Sequence, residues 1–124
     1  MEQVTGTPTV ISAAIYLAQL PTRAALEKVI RDGLLPFDTF SSRPERGRWA
    51  PIEVVLEHHL LHHEVDGESD LTVFINANAA EPLLHKDDGP WWELHAVSTR
   101  APDARDLLFF RIEHACADGI AGIG

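Results

Sequence analysis

The sequence predicts an α+β domain, built on a mixed sheet with two or three helices. Thr9–Leu20 carries no charge and begins with β-formers, while Arg23–Arg31 spaces its apolar residues at helical intervals. Trp91–Val97 and Leu107–Ile112 are short runs rich in aromatic and aliphatic residues. Strand and helix signals thus alternate along one chain without a visible internal repeat, which favours a mixed sheet packed against helices.

The N-terminal third is predicted to form a strand followed by an amphipathic helix. Pro21 ends the first apolar run, Thr9–Leu20, and a run of this kind favours a central strand over a helix. The helix over Arg23–Arg31 places Ala24, Leu26, Val29 and Ile30 near helical spacing. The Asp32-Gly33 pair then supplies the expected stop.

The middle of the chain predicts a short hairpin. Phe37–Ser42 and Trp49–Leu56 have extended character, and the charged segment Arg43–Gly47 between them is typical of a solvated turn. For His58–Val65 the local signals decide for neither helix nor strand.

The C-terminal half predicts one more helix and two strands. Ser69-Asp70 is a plausible helix start, with Leu71, Phe74, Ile75 and Leu83 on one side of the segment. Lys86–Pro90 is a loop by its Gly, Pro and Asp content. The strand Trp91–Val97 follows, then a connection over Ser98–Asp106, and then a buried strand that ends at His114.

Composition limits the class of protein. The 124 residues suffice for one modest domain. Nineteen carboxylates against ten Lys and Arg give a formal net charge of −9, which argues against nucleic-acid binding. A single cysteine, Cys116, excludes an internal disulfide framework. Since neither a secretory signal nor a stretch of about 20 apolar residues is present, we expect a cytoplasmic protein.

The segment Glu113–Gly119, with the sequence EHACADG, is the strongest candidate for chemistry. It places His114 directly behind an apolar run and sets Asp118 and Gly119 four and five residues further on. A residue at the end of a buried strand projects from a rigid element into the crevice beside the sheet. An Asp-Gly pair favours a sharp turn there.

This segment resembles the His-His-x-x-x-Asp-Gly hallmark of the wax ester synthase/diacylglycerol acyltransferase family, with Glu113 in place of the first histidine. These are CoA-dependent acyltransferases of chloramphenicol-acetyltransferase-like fold. Pro82-Leu83 followed by Gly89–His95 is similar to the family's Pro-Leu-x-x-x-x-Pro-Leu-Trp-Glu signature. Leu35–Ser42, and Trp49 with His58–Val65, also resemble family segments. The likeness covers only the N-terminal part of the family's domain, so residues 1–124 are expected to be a partial subdomain without its second half.

The resemblance implies an O-acyltransferase of lipid biosynthesis that makes wax esters or triacylglycerol. His114 would be the general base that takes the proton of an acceptor hydroxyl, because the pKa of histidine lies near neutrality. Asp118 would shape the site, and Gly119 would permit the tight turn. The implied substrates are acyl-CoA, as co-substrate, and a long-chain alcohol or diacylglycerol. No cofactor and no metal are expected.

The resemblance also carries expectations about partners. A lone half-domain would expose apolar sheet surface, so we expect self-association or association with a complementary half. Peripheral contact with a membrane or a lipid droplet is left open, and nucleic acid is not expected.

Two other interpretations compete with the acyltransferase. The first is a non-catalytic half-domain that acts as a binding or interaction module. The second is a zinc site, because His58 with His62, or His59 with His63, would share a helix face at i, i+4. We favour a polar, partly exposed segment over zinc. Of the adjacent Trp91 and Trp92, one is expected in the core and the other in a second layer, since neighbours on a strand face opposite ways.

Overall fold

The computed structural model of the chain describes residues 10–45, 48–87 and 89–114. Its largest element is a four-stranded sheet in the order β1-β6-β5-β4. The strands are β1 (Val10–Leu17), β4 (Leu60–Val65), β5 (Trp92–Thr99) and β6 (Asp106–Glu113). β6 runs antiparallel to both of its neighbours, whereas β4 and β5 are parallel. The predicted α+β class with a mixed sheet is confirmed.

The helices and a small hairpin surround this sheet. The helices are α1 (Arg23–Val29), α2 (Asp38–Ser41), α3 (Leu56–His59) and α4 (Ser69–Asn78). The hairpin consists of β2 (Ser42–Glu45) and β3 (Arg48–Pro51), so a hairpin is present in this region as predicted, although its first strand begins where the predicted one, Phe37–Ser42, ends. α4 connects the parallel strands β4 and β5, as a parallel pair requires a crossover of this kind.

The sheet is covered on both faces, so its central strands alternate between two cores. One core contains side chains from α1 to α3 together with the even-numbered face of β5 and β6; its members are Leu26, Ile30, Phe40, Leu56, Leu60, Trp92, Ala96 and Ile112. The other lies under α4 and contains Leu71, Val97, Leu107 and Phe109. This two-sided burial explains why β6 reads as a continuous apolar run.

The first strand lies at an edge of the sheet, so the prediction of a central strand over Thr9–Leu20 was wrong in position. β1 pairs with β6, and no other described strand lies beside it. Ile11 and Ile15 remain 42% and 52% exposed, because α1 to α3 do not reach over them. An apolar run without charges therefore did not indicate a strand paired on both edges.

The first helix continues past the predicted stop. After α1, the chain forms a π-helical turn over Ile30–Leu34, and Leu35 N–H donates to the carbonyl of Ile30 at 2.9 Å. Asp32 and Gly33 lie inside this turn. Ile30, fully buried, and Leu34 both pack in the core against the sheet, and this packing outweighs the local breaker signal.

Three local assignments between residues 37 and 56 were also wrong. Residues 38–41 form the single turn α2 where an extended segment was expected, since Thr39 and Phe40 are buried there. The second extended segment ends at Pro51, and Leu56 begins α3. Arg43, assigned to a solvated turn, lies within β2 and is half-buried.

The start of α4 is close to prediction, although its capping differs. The helix begins at Ser69, but Ser69 is not the N-cap; the side chain of Asp70 accepts a hydrogen bond from Gly67 N–H at 3.0 Å. Leu71, Phe74 and Ile75 pack on the sheet as expected. Leu83 is buried but lies beyond the helix, which ends at Asn78. None of the described helices is long and apolar enough to cross a bilayer.

One buried carboxylate ties together the ends of three strands. Asp106, the first residue of β6, accepts from Leu20 N–H, just after β1, at 2.9 Å. Its other oxygen accepts from the Thr99 N–H at 2.9 Å and from the Thr99 hydroxyl at 3.1 Å, at the end of β5. These bonds give partners to backbone N–H groups that are not paired by the hydrogen bonds of the sheet.

Asp106→Asn should lower the free energy of unfolding by about 1–3 kcal/mol, because the amide keeps only one acceptor oxygen and its NH₂ cannot accept, so the N–H of either Leu20 or Thr99 loses its partner. Urea unfolding monitored by circular dichroism measures this cost. Asp103→Asn, in the exposed part of the same connection, is the control and should change stability by less than about 0.5 kcal/mol. Equal effects of the two substitutions would contradict the role given to Asp106.

Candidate functional site

His114 follows the last residue of β6 and is exposed, which confirms the predicted placement of a histidine at a strand end. β6 is held in place by β1 on one edge and by β5 on the other. His114 therefore extends from a strand whose own position is fixed by two ladders. Asp118 and Gly119, the other predicted site residues, lie outside the described residues, as does Cys116.

Glu113, which occupies the place of the first histidine in the family motif, has a structural environment. It is 5% exposed, and its backbone N–H donates to the Trp91 carbonyl at 3.0 Å. Lys86 Nζ lies 3.4 Å from its carboxylate. The buried carboxylate is thus paired with a cation from the loop before β5, as buried charge requires.

Trp92, the first residue of β5, is buried in the core as expected for one of the two tryptophans, but Trp91 packs against the same core and not in a second layer. Trp92 is 1% exposed and donates its indole N–H to the Phe40 carbonyl at 2.9 Å. Trp91 is half-buried, with Lys86 Nζ 4.8 Å and Arg43 Cζ 5.9 Å from its ring centroid. Trp91 therefore packs at the border of the same core as Trp92 and makes cation–π contacts there, close to the end of β6.

A buried ion pair joins β5 to β6 three residues before His114. Glu93 and Arg111 stand directly opposite each other in the ladder and are each 1% exposed. Arg111 Nη1 donates to Glu93 Oε1 at 3.1 Å, and its Nη2 donates to the Glu81 carbonyl. The other Glu93 oxygen accepts from Leu84 N–H at 2.5 Å. The pair consequently also fixes the loop over residues 81–84 against the sheet.

The environment of Glu93 keeps it ionised. Burial alone raises the pKa of Glu93, but the hydrogen bonds from His95 and Leu84 and the charge of Arg111 outweigh it and lower the pKa. Because the folded pKa lies below the unfolded value of about 4.3, the ionised carboxylate stabilises the fold above that pH. This stabilisation is lost as the pH falls through the lower folded value.

Glu93, His95 and Arg111 were not predicted from the sequence as site residues, although their polarity within apolar strands was a signal. All three are polar residues inside otherwise apolar strands, and all are buried on the face of the sheet beneath α4. Glu93 and His95 alternate with Trp92, Leu94 and Ala96, and this period of two places them on one face. The register that sets Arg111 opposite Glu93 could be found only in the folded sheet.

The four histidines over residues 58–63 do not share a helix face, so the geometry behind the zinc alternative was wrong. α3 ends at His59, while His62 and His63 lie on β4 and face opposite sides of the sheet. His62 is close to α1, where burial and then Arg23 lower its pKa. Within the described residues, no group of three His, Cys, Asp or Glu side chains is placed to hold a metal ion.

His59 is a buried structural histidine. It is 1% exposed, and its Nδ1–H donates to the Trp92 carbonyl at 2.7 Å. Burial lowers the pKa of His59 despite this bond, so the ring is neutral at ordinary pH. Its Nε2 packs against Gly89, where a Cβ atom would lie 2.6 Å from Nε2. Glycine is required at that position because the buried ring occupies the space of a side chain.

Gly89→Ala should lower the free energy of unfolding by about 1–3 kcal/mol, because the added methyl group overlaps a ring that cannot move without losing its bond to Trp92. Thermal and urea unfolding measure the change. Gly67→Ala is the matched control, since nothing lies within 4 Å of a Cβ atom there. A stable Gly89→Ala variant would show that the His59 ring is not held in this position.

Arg111→Met alone should destabilise the fold by about 3–5 kcal/mol, because Glu93 then keeps a buried charge without its cation. Adding Glu93→Gln should recover most of this loss, since no lone charge is left. Urea unfolding of wild type, both single variants and the double variant forms the required cycle. Strictly additive costs would mean that the two side chains act independently.

Comparison with known proteins identifies the fold. The sequence matches no family profile and no curated protein sequence. Among solved structures, it is similar to the first condensation domain of the CDA synthetase, with a TM-score of 0.63 and 17% identity over 86% of this chain and 29% of that one. It is similar to the starter condensation domain of the rhizomide synthetase RzmA, with a TM-score of 0.62 and 16% identity over 86% and 27% of the two chains.

A third likeness is to the wax ester synthase/diacylglycerol acyltransferase from Marinobacter aquaeolei VT8. Its TM-score is 0.60, with 19% identity over 94% of this chain and 31% of that one. The chain thus spans about three tenths of the length of the structures it resembles. At these identities the likeness concerns the fold alone, and the described residues share the fold of the corresponding part of these structures.

Proposed function

We propose that this chain is part of an acyl-CoA-dependent O-acyltransferase in which His114 is the general base. The observation that carries the proposal is the position of His114: it is exposed at the end of a buried strand, in a fold shared with a wax ester synthase/diacylglycerol acyltransferase. The sequence likeness around Glu113–Gly119 and Pro82–Glu93 supports the same assignment.

The proposed reaction needs one group that first accepts and then returns a proton. His114 takes the proton from the hydroxyl of a long-chain alcohol or diacylglycerol while that oxygen attacks the thioester carbonyl of acyl-CoA. The tetrahedral intermediate then expels the CoA thiolate, which receives the proton from the imidazolium. The products are an ester, which is a wax ester or triacylglycerol, and free CoA.

The rigidity of β6 suits this role. A base acts efficiently when its position is set before the substrate arrives, and β6 is paired along both edges. Arg111 and Glu113 bind β6 further to β5 and to the loop before it. The family pattern that Glu113–Gly119 resembles assigns Asp118 and Gly119 to the turn behind the base, and both lie outside the described residues.

The structural neighbours are longer than this chain, and we expect a partner that corresponds to their additional part. Association with a complementary chain, or with a second copy, stays a prediction. This association would use the outer edge of β1 and the exposed side chains of Ile11 and Ile15, because none of the eight residues of β1 is charged.

His114→Ala should lower the rate of CoA release from a long-chain acyl-CoA by at least about 10²-fold when a fatty alcohol or diacylglycerol is present, because the hydroxyl loses its base. A thiol reagent that reports free CoA measures the rate. His62→Ala, which removes another exposed histidine on the same sheet, is the control and should retain the wild-type rate.

Three outcomes would count against the proposal. Equal rates for wild type and His114→Ala would remove His114 from the mechanism. If CoA were released only in the presence of an amine acceptor, the reaction would form an amide and not an ester. A wild-type chain that releases no CoA above the protein-free rate would favour the non-catalytic half-domain.

A further inference from the structure

His63 and His95 form a hydrogen-bonded pair on the face of the sheet that α4 covers. His63 Nε2 lies 2.9 Å from His95 Nδ1, and the two ring centroids are 5.1 Å apart. His95 Nε2 lies 2.8 Å from Glu93 Oε1. Glu93 is in turn bound to Arg111. The four side chains thus form one continuous polar chain that runs from the interior of the sheet to half-buried His63.

A placement with one hydrogen on each ring satisfies every hydrogen bond of this chain of side chains. Glu93 is ionised and can only accept, so His95 Nε2 carries a hydrogen and donates it. In a neutral His95 ring, Nδ1 is then the acceptor. His63 then donates from its own Nε2–H, so each ring carries one hydrogen in this arrangement.

One additional proton fits this arrangement, but a second does not. A proton that enters at His63 gives an imidazolium that still donates from Nε2–H to His95, so every hydrogen bond is kept. If both rings were protonated, an N–H on His63 would point at an N–H on His95. The ring–ring hydrogen bond would be lost, and two cations would stand about 5 Å apart.

The surroundings of the pair oppose even the first charge. Burial, His95 and His62 lower the pKa of His63, and Glu93 acts in the opposite direction. The other charged group in the chain of contacts, Arg111, already neutralises Glu93. From α4 the group that faces the pair is the Phe74 ring, 4.8 Å from His63 and 5.7 Å from His95.

The helix above the pair depends on this face for its packing. Phe74 also contacts Phe109 at 6.0 Å between centroids, and α4 buries Leu71 in the same apolar core. A positive charge on His63 has to be hydrated, and the ring lies directly beneath this contact. Water reaches His63 most readily when α4 moves away from the sheet.

We propose that His63, hydrogen-bonded to His95 and through it to Glu93, is a pH-responsive latch that holds α4 on the sheet while its ring is neutral and weakens the docking of α4 as the ring takes up a proton. The entry point for protons is His63, because it is the half-buried member of the pair. This device is independent of acyl transfer at His114.

The test is amide hydrogen exchange in α4, expressed as protection relative to the unstructured rate at each pH. In the wild type, protection over Leu71–Asn78 should fall between about pH 7 and pH 5, by up to about tenfold per pH unit for each proton bound on opening. His63→Gln should abolish this dependence while keeping the helix docked, because the glutamine amide reproduces the Nε2–H donor and cannot titrate.

His62→Gln is the matched control, since it makes the same change at the adjacent residue on the opposite face of β4. It should leave the wild-type pH dependence of α4 unchanged. Equal pH dependence in wild type and His63→Gln, or its loss in His62→Gln, would overturn the proposal.

Nitrogen-15 spectra of the histidine rings test the latch without any substitution. At neutral pH both His63 and His95 should carry hydrogen on Nε2. On acidification the His63 ring should take up a proton over the same pH range in which the protection of α4 falls. A His63 ring that stays neutral while α4 loses its protection, or hydrogen on Nδ1 of His95 at neutral pH, would also overturn it.

Discussion

The position of β6 is the constraint on which the rest of the structure depends. It is paired along both edges, covered on both faces, and anchored at its start by Asp106. Its side chains alternate between the two apolar cores, so a shift of one residue would exchange them. His114 follows this strand directly, so the pairing of β6 sets where it leaves the sheet.

Because the central strands are buried on both faces, the buried charged side chains toward the end of β6 are paired with groups of opposite charge. The face beneath α4 is apolar at the end that contains Leu107 and becomes charged toward Arg111 and Glu113. Each charge on this face has a partner from another segment: Glu93 for Arg111, and Lys86 for Glu113. These pairs attach the loop before β5 to the end of β6, so the region near His114 is held by electrostatic contacts where the apolar core ends.

The histidines illustrate how one residue type takes different roles in one small fold. His59 is a neutral core side chain that fills the space left by Gly89, whereas His63 and His95 belong to a hydrogen-bonded chain that ends at a carboxylate. His114 stands at the open end of the sheet. Solvent access and the hydrogen-bond partners of each ring, rather than its place in a histidine-rich segment, determine which of these roles it can fill.

The sequence by itself determined the α+β class, the strands over β5 and β6, the start of α4 and the histidine at the end of β6, because these depend on local apolar periodicity and turn residues. Only the tertiary structure decided that β1 is an edge strand, that Asp32 and Gly33 continue a helix, and that His58 to His63 divide between a helix and a strand. Packing overrode local signals at those places. The contacts of Glu93 with Arg111 and of His63 with His95 join residues 18 and 32 positions apart, and strand register, which no local pattern encodes, brings them together.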